Sequence, residues 1–163
     1  MQAMPPTLFL LLLLAAVSAA LHSAPPAATA AQNIYEVLKF YGFPPGLIPK
    51  DVVTGFELNP NSGQFTVHMD TPCRFTAYNY NIQIKTQISG VIGEEEIKNL
   101  HGVQVNIFGF WIDIREVDMI EDGEEIEFTA GRTAVDLPAY YFFNIPQCGC
   151  GFDCGHGVAG DSS

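Results

Sequence analysis

The densest grouping of chemically competent side chains lies near the C-terminus, where Cys148, Cys150, Cys154 and His156 fall within nine residues. Thiolates and an imidazole at such short spacings are zinc ligands by type. The pattern Cys-x-Cys-x-x-x-Cys-x-His is not that of a finger, however, and Cys73 brings the cysteine total to four. An even count in an exported chain reads first as disulfides, with three connectivities open. The pairing expected is Cys73–Cys148, with Cys150–Cys154 closing a small glycine-containing loop. No metal site and no other cofactor is expected.

Hydrolysis needs a nucleophile presented to a base. Ser62 lies in a turn and Ser89 in a strand-like run, and neither sits in the Gly-x-Ser-x-Gly elbow that exposes an esterase serine. Ser89 could join His68 or His101 and an aspartate only if the fold brought them together. His68, near Asp70, reads as a solvent-facing strand residue, and His101 before Gly102 as a helix or turn terminus. No catalytic residue is expected. The acidic run Glu116, Asp118, Glu121, Asp122, Glu124, Glu125 and Glu127 lacks the ligand spacing of a calcium loop. It reads as a solvated hairpin face that also discourages edge-to-edge pairing.

The stretch Phe108-Gly-Phe110-Trp111 is the most suggestive for ligand binding. Phe110 and Trp111 point to opposite faces of a strand. If the interior is hollow, Tyr80, Ile82, Phe110 and Ile112 line an apolar cavity for a lipid or pigment, with Trp111 a surface anchor. A filled core competes with this, because so small a domain needs most of its apolar residues for packing.

The elements that must position these residues are mostly strands. A helix is predicted over Asn33–Phe40: Asn33 can cap it, Ile34, Val37, Leu38 and Tyr41 share a stripe, and Gly42 and Pro44-Pro45 end it. Phe43–Pro49 is then a rigid extended connector. From Thr54 the apolar period becomes two, first in a hairpin turning at Asn59–Gly63. A third strand is predicted from Arg74 through Ile88, with a bulge or bend near Ala77 where the apolar parity flips. Glu94–Leu100 reads as a short acidic connector with helical character. Strands follow around Val103–Ile107, Phe110–Met119, Ile126–Phe128 and Thr133–Leu137, with Glu121-Asp122-Gly123 as a turn. The expected fold is mainly β: an antiparallel barrel or sandwich of about seven strands with one N-terminal helix.

The apolar run Leu8–Leu21, followed by small residues, reads as a signal peptide spanning 1–24, cleaved between Ala19 and Ala24. A retained anchor is the competing reading, but the run is short for a bilayer span. Residues 25–32 read as an unstructured leader, 33–148 as one β domain, and 149–163 as a Cys/Gly-rich tail. Seven Lys+Arg stand against 18 Asp+Glu, a net charge of −11. With no basic footprint to displace counterions from phosphates, nucleic-acid binding is not expected.

Several motifs in order and spacing resemble the plant domain of unknown function 538 (DUF538) family. They are Tyr35-Glu-Val-Leu38, Tyr41-Gly-Phe-Pro-Pro-Gly-Leu-Ile-Pro49, Thr71-Pro-Cys73, Ile88-Ser-Gly90 and Leu100-His-Gly-Val-Gln-Val105. Phe110-Trp111, Leu137-Pro138 and Ile145-Pro-Gln-Cys148 complete the set. The resemblance implies a β-barrel sometimes likened to half of a lipid-binding bactericidal/permeability-increasing protein, a plant source, and a developmental or stress-related role. It brings no catalytic residues. The reading that results is a secreted, non-catalytic β-barrel that binds an apolar small molecule, a lipid, or a cell-wall or membrane partner. A hydrolase acting on a lipid, pigment ester or wall polymer through Ser89 or His68, and an acidic extracellular interaction module, are the alternatives.

Overall fold

A computed structural model describes residues 33–154. The expected signal peptide with its Ala19–Ala24 cleavage window, the expected leader 25–32 and His156 lie outside the described residues. Helix α1 spans Ile34–Phe40, and the Asn33 side chain accepts a hydrogen bond from the Tyr35 N–H, satisfying one of the helix's orphan donors. Its apolar stripe, Ile34, Val37 and Leu38, is buried. Eight strands follow: β1 (Val53–Leu58), β2 (Gln64–Met69), β3 (Cys73–Ala77), β4 (Tyr80–Gly93), β5 (Glu96–Ile107), β6 (Phe110–Ile120), β7 (Glu125–Ala130) and β8 (Thr133–Pro138).

They form one antiparallel sheet in the order β1-β2-β4-β5-β6-β7-β8, with β3 also on β4. Strand β4 organises it. Its first half, Tyr80–Ile84, pairs with β3, and Gln87–Val91 pairs with β2 on the same edge. β2 and β3 are thus two lengths of one edge, interrupted at Asp70-Thr71-Pro72, where proline has no N–H to give to a ladder. Register shifts between Ile84 and Ser89, Ile97 and Gln104, and Ile114 and Glu116 bend the long strands. Gly102, at φ +92, permits one such bend, since a Cβ there would lie 2.0 Å from the Gln87 carbonyl oxygen.

The sheet is mainly β and antiparallel, as the alternation implies, but it is not closed into a barrel, because β1 and β8 do not pair. Two local expectations are also corrected. The parity flip near Ala77 marks a chain reversal: Ala77 pairs with Tyr80, so Tyr78-Asn79 is a two-residue hairpin turn and the expected third strand is two strands. Tyr78 takes φ 58 at the first turn position, where glycine or asparagine is the usual residue; the asparagine here stands second. Glu94–Leu100 is not helical either. Gly93 pairs with Glu96 across a Glu94-Glu95 turn, and β5 starts there, with Ile97 and Leu100 buried on its inner side.

Because the sheet stays open, its concave apolar face must be covered by the rest of the chain. α1 lies over one half. The connector after it crosses to meet the C-terminal segment Ala139–Cys148. Tyr35 donates its hydroxyl to the Pro49 carbonyl, and Lys50 N–H donates to the Pro146 carbonyl. Gly46 makes the closest contact, since a Cβ there would sit 2.3 Å from both the Phe142 and Asn144 carbonyl oxygens. Phe142 packs on Phe128, Tyr141 and Phe152 with ring centroids 5.4, 5.6 and 5.7 Å away. The Cys73–Cys148 disulfide, spanning 75 residues of sequence, ties this strap to β3. Closing a loop of that length removes about 4 kcal/mol of entropy from the unfolded chain.

On the convex face, carboxylates align across four strands. Glu96 pairs with Asp118, Asp118 with Glu127, and Glu127 with Asp136. Like charges directly opposite one another repel. Lys98, 2.6 Å from Glu96, relieves only one end of the row. Burial raises the Asp118 pKa from its ordinary 3.8, neighbouring Glu116 and Glu96 raise it further, and Lys98 opposes them. The acidic run is therefore a solvated outward face whose own members are in tension.

Two outcomes follow. Gly46→Ala forces the connector off the strap and lowers stability by about 1–3 kcal/mol, measured by denaturant unfolding. An unchanged midpoint would show that the two segments are not in contact. For Asp118, a raised folded-state pKa means that ionisation subtracts stability above that pKa, and the penalty disappears once pH falls below the ordinary carboxylate value of 3.8. Asp118→Asn should therefore raise the thermal midpoint at neutral pH by about 2 °C, or about 0.5 kcal/mol. The gain should fade in melts at about pH 3.

Candidate functional site

Three two-residue hairpin turns meet at one end of the sheet: Tyr78-Asn79, Phe108-Gly109 and Gly131-Arg132. Beneath them, on the concave side, is a cavity of about 80 Å³. Its walls are apolar and include Tyr80, Ile82, Val105, Ile107, Ala130 and Phe142. Thr133 is its one fully exposed lining residue and stands beside the Gly131-Arg132 turn, next to the half-buried Tyr80 and Ile107 of the neighbouring hairpins, which puts the mouth at the turn end. Leu47, Ile82, Val103, Phe128 and Val135 are half-buried as well. A second cavity of about 60 Å³ lies under α1, and Leu47, Val103, Ile114 and Phe128 form the wall that both share.

Of the residues expected to line a cavity, Tyr80 and Ile82 do so, whereas Phe110 and Ile112 do not. Cross-strand partners share a face, so Phe110 opposite Ile107 and Ile112 opposite Val105 do start on the concave side. But β6 first pairs with β7 at Ile114, so Phe110 to Asp113 have no strand on that flank. Ile112 packs half-buried against the core, under Gly131. Phe110 extends beyond the sheet and is 73% exposed. Trp111, opposite Asn106 on the convex side, is 40% exposed, with the Arg74 guanidinium 5.8 Å above its ring.

The projecting hairpin ends in Phe108, which is 97% exposed. Its φ of 51 lies in the left-handed region, followed by Gly109 at 89, and the Asn106 side chain accepts a hydrogen bond from the Gly109 N–H at 3.1 Å. Turns of this shape favour asparagine or glycine first. A bulky side chain there costs about 1–2 kcal/mol. The Phe-Gly pair between two alternating runs is a turn signal in the sequence; that the aromatic residues beside it stand clear of the sheet depends on where β7 stops.

The serine and histidines gather elsewhere. Ser89 pairs directly with His101 and with Thr66, in a shallow groove also lined by Glu57 and Asn99. His101 is a strand residue at a bulge, not a helix or turn terminus. Its Nδ1 lies 2.9 Å from Arg115 Nη1, and Arg115 Nη2 donates to Asp113 Oδ2 at 3.2 Å. A guanidinium has only protons to offer, so Nδ1 is the acceptor and Nε2 carries the ring hydrogen. That is the reverse of the tautomer a serine relay uses. His68, on the same face, pairs with Gln87. The cysteines form Cys73–Cys148 and Cys150–Cys154 disulfides. Among the described residues, no three or more His, Cys, Asp or Glu side chains come together as a metal cage.

No curated protein and no solved structure matches this chain. A family model does match, that of the protein of unknown function DUF538, over residues 34–143, and the chain belongs to that family.

Proposed function

We propose that this DUF538 protein is an extracellular, non-catalytic binding module that takes an apolar ligand at the turn end of its sheet. One observation carries the reading: an apolar cavity has its exposed rim among hairpin turns that present large aromatic side chains to solvent. Two disulfides suit an oxidising compartment.

Size limits the ligand. The cavity holds about 80 Å³, whereas an engineered 150 Å³ cavity takes benzene and drug-sized sites begin near about 300 Å³. A whole acyl chain does not fit. The chain terminus or a small branched group of a larger apolar molecule does, with the remainder lying across Tyr80 and Ile107 at the mouth. Thr133 supplies the one side-chain hydroxyl near the entrance besides that of Tyr80. Recognition therefore rests on shape and desolvation, with little directional bonding.

Ala130→Val tests this by filling the cavity from its wall. The added methyl groups displace about two ligand methylenes, each worth about 0.8 kcal/mol, so the apolar dye Nile red should bind about tenfold more weakly. Thermal stability should hold or rise, because cavity filling commonly stabilises. Undiminished dye binding by a folded variant would place the ligand elsewhere.

A further inference from the structure

We infer that the Phe108–Trp111 tip docks into the interfacial layer of a lipid bilayer. The inference goes beyond cavity binding and holds whether or not the cavity is filled. Phe108, Phe110 and Trp111 sit on and beside a single turn that projects past the end of β7 and lies level with the Tyr78-Asn79 turn, where Tyr78 is 47% exposed. Phe108 does nothing for the fold that asparagine would not do with less strain at φ 51. Aromatic residues beside arginine are the side chains that settle at a membrane–water boundary: the rings enter the headgroup layer and the guanidinium stays hydrated above them.

Charge is arranged to permit this approach. The three turns at the aromatic end contain Arg132 and no carboxylate, and Arg74 leans on Trp111. The turns at the opposite end carry Glu94, Glu95, Glu121, Asp122 and Glu124. Strand β5, 12 residues long, separates the two ends by roughly 30–40 Å. That is several Debye lengths of about 8 Å, so the carboxylates of those far turns do not repel a bilayer met tip-first. Asp113, the carboxylate on β6 beside the tip, is paired with Arg115. A polysaccharide would stack on the Trp111 ring, but Arg74 already occupies one of its faces.

Trp111 is the sole tryptophan, so its emission reports on this site alone. The oxidised chain should float with phosphatidylcholine vesicles, with or without phosphatidylglycerol, and Trp111 emission should shift to the blue and be quenched by brominated lipid. Phe108→Asn should keep or raise thermal stability while weakening partition about tenfold. Phe40→Asn removes another exposed phenylalanine, 45% exposed and next to Tyr41, which contacts the acidic Glu94-Glu95 turn. That variant should partition like the parent. The inference is overturned by an unshifted emission with both vesicles or by equal losses in the two variants. Retention on cellulose or pectin without vesicle binding overturns it too, as does tip-dependent self-association that accounts for the blue shift. Loss of Nile red binding in Ala130→Val with vesicle partition intact would overturn the cavity reading and leave this one standing.

Discussion

The backbone at Gly46 lies so close to the Phe142 and Asn144 carbonyls that no side chain fits between them, and this contact joins the two ends of the domain over the sheet. The sheet needs such a contact. Its edge strands do not meet, so no ladder of hydrogen bonds seals the concave face, and the apolar residues of β4 to β8 would otherwise face water. The proline-rich connector suits the task because its conformation is largely fixed before folding. The Tyr35, Lys50 and Cys73–Cys148 links then hold the cover at separate points. The cavity between sheet and strap exists because this cover bridges the curve without filling it.

The molecule is also divided along the strand direction. One end collects carboxylates that oppose each other across the sheet, and the other collects aromatic side chains that no strand shelters. Neither arrangement serves stability. The acidic row is repulsive, and Phe108 occupies a backbone conformation that costs about 1–2 kcal/mol. Features that oppose folding and yet sit together at the surface are where function is best sought. By contrast His101, the cross-strand partner of Ser89, has its Nδ1 engaged by Arg115.

Much of this was legible in residue spacing. Alternation identified β1, β2 and the later strands, and Asn33 with Gly42 bounded the helix to within a residue. What sequence could not supply was closure and sidedness. Whether β1 meets β8 depends on accumulated twist and bulges, not on any local pattern. The Tyr78-Asn79 and Glu94-Glu95 turns escaped notice because residues ordinarily disfavoured at positive φ occupy them. Phe110 had the parity of a cavity residue and the register of a concave one. It is exposed because β7 stops short, a matter of relative strand length that no single-strand pattern contains.

The strap has a further consequence for how the chain is made. The meander from β4 to β8 is built of neighbours in sequence and can assemble as it emerges. Its cover cannot, since the connector is held down by residues 142–146, which follow the whole sheet in sequence. Until then the concave face is bare and Cys73 is an unpaired thiol awaiting Cys148. The nascent domain is therefore a sticky, thiol-bearing intermediate until the segment after β8 has emerged, and only then can its apolar face be covered and its long disulfide form.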